Sequence, residues 1–178
     1  MSQTFRYSLI YGLLAGAVLA LFIAVVGLLH NRVEFVASVA FGFSVMLVAM
    51  SFVFVGVKPF RDIEGGGVIG FGRAFGLGLA IALIAALIYV LAWEVYLALT
   101  DCRFMHDYAA RAIADAQAAG KDAAAIARMR AEFATLTTQY DSPLYRLPMT
   151  FAEIAPVGLI VALVSAALLR NPRLLPAR

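Results

Sequence analysis

Two carboxylates interrupt stretches of this chain that are otherwise apolar: Glu94 in "LAWEVY" and Glu153 in "TFAEIAPVG". A charge at the centre of a hydrocarbon layer costs about 2.5–3.5 kcal/mol on insertion scales, so a carboxylate there is either functional or paired. If the helices that carry them are neighbours, two like charges in proximity would force one pKa upward and share a proton, a candidate proton- or cation-linked acidic pair. Arg32, Arg103 and Arg146 lie at the ends of the same apolar stretches and are the alternative partners, each able to neutralise a carboxylate and anchor the bundle. Pro156, three residues past Glu153, has no N–H to give the Ala152 carbonyl and predicts a kink. A kink beside a membrane carboxylate is a feature that transporters use, and equally the ordinary result of a proline near a helix start.

Other chemistry is excluded residue by residue. The one cysteine, Cys102, permits neither an internal disulfide nor a multi-cysteine metal site. The two histidines, His30 and His106, are far apart and show no metal-ligand spacing. "GGGVIG" at 65–70 satisfies G-x-G-x-x-G, but that fingerprint needs a strand before it and a carboxylate about 20 positions on. Here an apolar helix precedes it and "LIAALIYV" follows at that distance, so no nucleotide is expected. No Ser-His-Asp or Cys-His arrangement and no basic run is present. The expectation is a chain without enzyme activity, metal or cofactor, and without nucleic acid as a partner.

The elements that position these carboxylates are set by composition. The chain is 63% hydrophobic and 14% charged, where a soluble domain is about a quarter charged, and its mean hydropathy is +0.91. Four apolar runs stand out, at about 7–29, 35–57, 74–100 and 147–169, the first three of which carry no charge besides Glu94 and the last none besides Glu153. A hydrocarbon core of about 30 Å needs roughly 20 helical residues, and all four suffice. The first run, with Arg6 before it and "AGAVLA" within it, also invites a signal-peptide reading, but it exceeds the roughly 7–15 residues of such a core. The fold class predicted is all-α: a single polytopic membrane domain over 1–178, with four transmembrane helices and an extracytoplasmic helical hairpin between the third and fourth.

Charge sets the orientation. Arg6, Lys58, Arg61, Arg73, Arg170, Arg173 and Arg178 fall on one side, and Arg32 alone on the short turn opposite. Basic flanks face the cytoplasm, so both termini are expected there, in the cytoplasmic (inner) membrane of the cell. The insert at 101–143 is near neutral, with five basic residues against six acidic ones. Within it, "DYAARAIADAQAAG" is rich in a strong helix former and stops at Gly120, a suitable cap. In "KDAAAIARMRAEFATLTTQY", Ile126, Met129, Phe133, Leu136 and Tyr140 share one face. That stripe must bury against its partner helix, the membrane surface or another subunit. On this orientation Glu94 and Glu153 each sit about 9 Å from the outer end of a span, at roughly 1.5 Å per residue. Trp93, Tyr96 and Tyr145 fit the aromatic belt there.

The glycine-rich stretch turns the chain. Lys58–Pro59 is expected to end the second span, and Gly65–Gly67 permit a tight reversal. Lys58, Arg61, Asp62 and Arg73 form a charged cytoplasmic rim that sets topology and meets phospholipid headgroups, with Arg61 and Asp62 able to pair. Small residues recur every four positions in three helices: Gly12, Gly16 and Ala20; Gly72, Gly76 and Ala80; Gly158, Ala162 and Ala166. Such faces permit close helix approach.

With these blocks in view, the chain resembles a known family. "SFVFVGVKPFRDIEGGGVIGFGRAFGLGLAIALIAALIYVLAWEVY" and "SPLYRLPMTFAEIAPVGLIVAL" are similar, in order and spacing over residues 8–169, to the bacterial membrane family catalogued as domain of unknown function 4199. The resemblance rests on a G-x-K-x-[YF]-R-D stretch, F-G-[KR]-A-F, and a T-F-x-E-I-x-P-V-G-L start to the last span. The insert here is richer in alanine and poorer in charge than the family pattern. The resemblance implies a four-helix integral membrane protein and no particular activity. Two functions follow as expectations. One is a non-enzymatic accessory or structural protein held in the lipid bilayer, associating as a homo-oligomer or with a membrane protein partner. The other is a small oligomeric transporter or channel-like protein using the Glu94/Glu153 pair.

Overall fold

Inside lipid every backbone N–H and C=O must be satisfied within the segment, so an apolar run of this length has the helix as its solution. The computed structural model describes residues 2–29 and 39–176. Helix α1 spans Gln3–Leu29, α2 Val39–Pro59, α3 Phe71–Leu99, α4 Phe104–Ala118, α5 Ala123–Tyr140 and α6 Pro143–Leu169, with a π-helical turn at Phe60–Glu64 continuing α2. Among the described residues there is no strand. Four helices, α1, α2 with its π turn, α3 and α6, are long and apolar enough to cross a membrane. The first turn, with His30 and Arg32, lies outside the described residues, as do the start of the second predicted span and Arg178.

The chain divides into two compact units, Met1–Trp93 with Phe151–Arg178, and Glu94–Thr150. In the first unit α3 is the most buried of the spans, and glycines bring its neighbours close. A Cβ built on Gly12 would lie 2.7 Å from Ile84 Cβ, and one on Gly16 would lie 2.8 Å from Ile88 Cβ. Neither position has room for any side chain, so α1 packs on α3 backbone to side chain. Gly56 plays the same part for α2 against Tyr11 and Ile81. Gly78 meets Val53 and Ala162, and Gly158 meets Ala82, which seats α6 against α3. Leu19, Met50, Val53, Leu77, Ile81 and Ile154 fill the space between these contacts, all at most 2% exposed.

Two expectations need correction here. Gly72 and Gly76 have no atom within 4 Å of where a Cβ would stand, and both are exposed. At about 100° per residue each lies roughly opposite the residue two places on, and Ala74 and Gly78 are the ones buried. The packing face of α3 is therefore on the other side of the helix. Pro59, for its part, does not end the second span. The helix passes through it with φ −60° and ψ −35°, and widens into the π turn, where the Gly65 N–H donates to Phe60 O at 3.2 Å and the Gly67 N–H to Arg61 O at 3.0 Å. The wider π-type spacing therefore follows the proline instead of a chain break. The reversal then comes at Gly66 and Gly67, whose φ values are +58° and +88°, before α3 begins at Phe71.

In the second unit α4 and α5 form the hairpin. α4 closes in a Schellman arrangement: Gly120 has φ +72°, its N–H donates to Gln117 O at 3.0 Å, and the Lys121 N–H donates to Ala116 O at 3.1 Å. Asp122 caps α5 by accepting the Ala125 N–H at 2.7 Å. The stripe packs on its partner helix. Phe133 meets Tyr108 edge to face at 5.9 Å, and Tyr140 meets Phe104 at 6.4 Å. Leu136 falls outside that contact, 40% exposed, and Thr137 is buried in its place. α6 begins at Pro143, four residues before the predicted span, because proline suits the first helical position.

Candidate functional site

Glu94 and Arg146 form a two-pronged ion pair. Arg146 donates from Nε to Glu94 Oε1 at 2.7 Å and from Nη2 to Oε2 at 2.6 Å. This fork-to-fork geometry is the form in which a guanidinium binds a carboxylate most strongly. The remaining Nη1 donates to Asp141 O at 3.0 Å and Tyr140 O at 3.5 Å, covering carbonyls at the end of α5. Arg146 is 8% exposed. Of the three cations considered for the carboxylates, this one is engaged. Arg103 instead sits exposed at the N-terminal cap of α4, and Arg32 lies outside the described residues.

Glu153 has a different environment. It lies on an exposed face of α6, and its Oε2 accepts a hydrogen bond from the Tyr89 hydroxyl at 3.3 Å. Each carboxylate thus has its own partner, of different kind: a bidentate cation for one, a neutral phenol for the other. On a different side of α6 from Glu153, a crevice of about 500 Å³ opens between α3 and α6. Its floor includes Ala82, Ala86 and Gly158, its walls Leu83, Phe151 and Leu159. Pro156 also lines it, exposed, as does Ala152, whose carbonyl receives no N–H from that proline. α6 runs as one helix through this point.

At the other end of α2 the predicted rim is assembled around the π turn. Lys58 Nζ donates to Asp62 Oδ2 at 2.6 Å and Arg61 Nε to Asp62 Oδ1 at 2.7 Å, while the Arg73 guanidinium stands 4.9 Å over the Phe60 ring. Arg61 was expected on a headgroup-facing rim, or else paired with Asp62, and the pair is formed. Its side chain does not face headgroups but is wholly buried, with Nη1 donating to Leu174 O at 2.9 Å and Nη2 to Leu175 O at 2.5 Å. Backbone carbonyls carry no residue signature, so nothing in the sequence marks this contact. The glycines of "GGGVIG" lie in the turn that follows, between two apolar helices. Among the described residues no three His, Cys, Asp or Glu side chains come together as a metal site would need.

The family described as Protein of unknown function (DUF4199) has a sequence model that matches residues 8–171. The chain belongs to that family. No curated protein and no solved structure matches it. In this DUF4199 member the matched stretch contains Glu94, Arg146, Tyr89, Glu153 and Arg61, whereas Leu174 and Leu175, the carbonyl partners of Arg61, lie past its end.

Proposed function

We propose that this chain is a non-enzymatic accessory or structural protein of the cytoplasmic membrane, associating laterally with other membrane proteins, with both termini in the cytoplasm and the α4–α5 hairpin outside. The observation that carries the reading is the Arg146–Glu94 fork. It commits one of the two membrane carboxylates to holding structure, which leaves the proton-linked alternative without half of its pair. The crevice between α3 and α6 is lined by apolar side chains, which suits contact between hydrophobic surfaces better than passage of an ion. The distribution of basic residues supports the orientation.

Two measurements test this. Cys102 is the only thiol, so an impermeant maleimide applied to intact cells is expected to label it, and labelling only after the inner membrane is opened would reverse the orientation. The full chain, extracted mildly from its native membrane, is expected to carry a stoichiometric membrane protein that is lost when 104–140 is replaced by a short linker. Recovery of a clean monomer in every extraction would count decisively against the accessory role.

A further inference from the structure

Arg61 gives the two ends of its fork to consecutive main-chain carbonyls, Leu174 O and Leu175 O, while its Nε is taken by Asp62. Two oxygens set side by side before a guanidinium are also what a phosphate offers, and there the bonds are charge-assisted and roughly twice as strong. The segment that supplies the carbonyls is lightly held. Every residue of 171–176 is exposed. Among the described residues, the hydrogen bonds that tie 172–176 to another element are the two from Arg61. Leu175 makes its contact at φ +50°, a strained conformation for a bulky side chain. The surroundings favour an anion. Lys58 and Arg61 share the one carboxylate of Asp62, and Arg73 stands over the Phe60 ring. Glu64, the other acid of the turn, is exposed. All of this lies at the end of a membrane-spanning helix, the level at which basic pockets meet lipid phosphate.

We propose that the Arg61 fork is a binding site for the phosphate of an anionic phospholipid, closed here by residues 174 and 175 as an internal stand-in. Arg61 lies within the stretch that defines the family, and the carbonyls that cover it lie past its end. The segment and the lipid compete for the same two N–H groups, so binding one releases the other. The apparent affinity for lipid is then lowered by the fraction of chains in which the segment is docked. An anionic headgroup suits the site better than a choline headgroup, whose own cation would meet Lys58 and Arg73. The proposal goes beyond the accessory reading and does not depend on it.

The test uses the full chain in nanodiscs of phosphatidylcholine, of phosphatidylcholine mixed with phosphatidylglycerol, and of phosphatidylcholine with inorganic phosphate in salt-matched buffer. Phosphatidylglycerol is expected to speed amide exchange over 171–176 by about tenfold, an ordinary coupling between two occupants of one site, and to leave the 104–140 hairpin unchanged. A chain shortened to end at Asn171 keeps Arg61 and loses the stand-in. By native mass spectrometry it is expected to retain phosphatidylglycerol about tenfold more tightly than the full chain, and Arg61→Gln in the shortened chain is expected to remove that gain. Exchange over 171–176 that is the same with and without phosphatidylglycerol would overturn the proposal. So would a shortened chain that binds no more tightly, or a gain that survives Arg61→Gln. Release by inorganic phosphate with none from phosphatidylglycerol would overturn the lipid as the source of the phosphate.

Discussion

Replacing Arg61 with methionine is expected to release residues 171–176 from the bundle and to lower stability by about 2 kcal/mol, the scale of hydrogen bonds made by a charged donor. The geometry explains why the effect is large for one residue at a helix end. Arg61 is 0% exposed, and its guanidinium serves three acceptors, Asp62 Oδ1 and the carbonyls of Leu174 and Leu175. Leu175 is held at φ +50°, a conformation that a branched residue keeps only when its surroundings impose it. With the guanidinium gone, those carbonyls turn to water and that backbone relaxes. Asp62 remains paired with Lys58 at 2.6 Å, so the π turn survives while the segment packed on it does not. Arg61→Lys is expected to fail as a rescue, because an ammonium lacks the planar fork that reaches three acceptors at once. Amide exchange over 171–176 is the direct readout. Protection there that is unchanged in Arg61→Met would show that the segment is held by something else.

What the sequence made legible follows from which forces act on which residues. The four spans and the hairpin were readable because length and apolarity alone decide whether a helix partitions into lipid. Gly120 and Asp122 were readable as punctuation because capping is local. The packing partners were not. A membrane helix is apolar all round, so neither hydropathy nor the four-residue spacing of Gly72 and Gly76 says which side meets a neighbour, and it was Gly78 that did. Pro59 misled because the rule that ends helices at proline is a preference of the residue before it, and here Pro59 keeps helical φ and ψ and the helix continues into the π turn. Glu94 and Glu153 were readable as exceptional. Their partners were not, since Arg146 lies 52 residues from Glu94, and Arg32, Arg103 and Arg146 were equivalent until distance separated them.

Breaking the Glu94–Arg146 fork from either side is expected to cost about 3 kcal/mol, the lower end of what removal of one member of a buried ion pair costs. The lower end applies because Glu94 keeps 24% of its side-chain surface accessible and Arg146 10%. Glu94→Gln and Arg146→Met leave opposite defects: in the first a guanidinium that has lost its counter-charge, in the second a carboxylate inside an apolar stretch. Removing both charges together, as Glu94→Leu with Arg146→Met, takes away the desolvation cost along with the attraction. The double variant is therefore expected to recover to within about 1 kcal/mol of the parent, as buried pairs replaced by apolar residues commonly do. Full recovery is not expected, because Arg146 Nη1 also covers the Asp141 carbonyl at 3.0 Å, and no apolar side chain replaces that donor. The exchanged pair Glu94→Arg with Arg146→Glu should do worse than the double deletion for the same reason, since it sets a carboxylate against the carbonyls that Arg146 served. Thermal unfolding of the five proteins in one detergent gives the ranking. If Glu94→Gln melted with the parent, the fork would not be holding α3 and α6 at the base of the hairpin. Glu94 would then be free for the proton-linked role that the structural reading denies it.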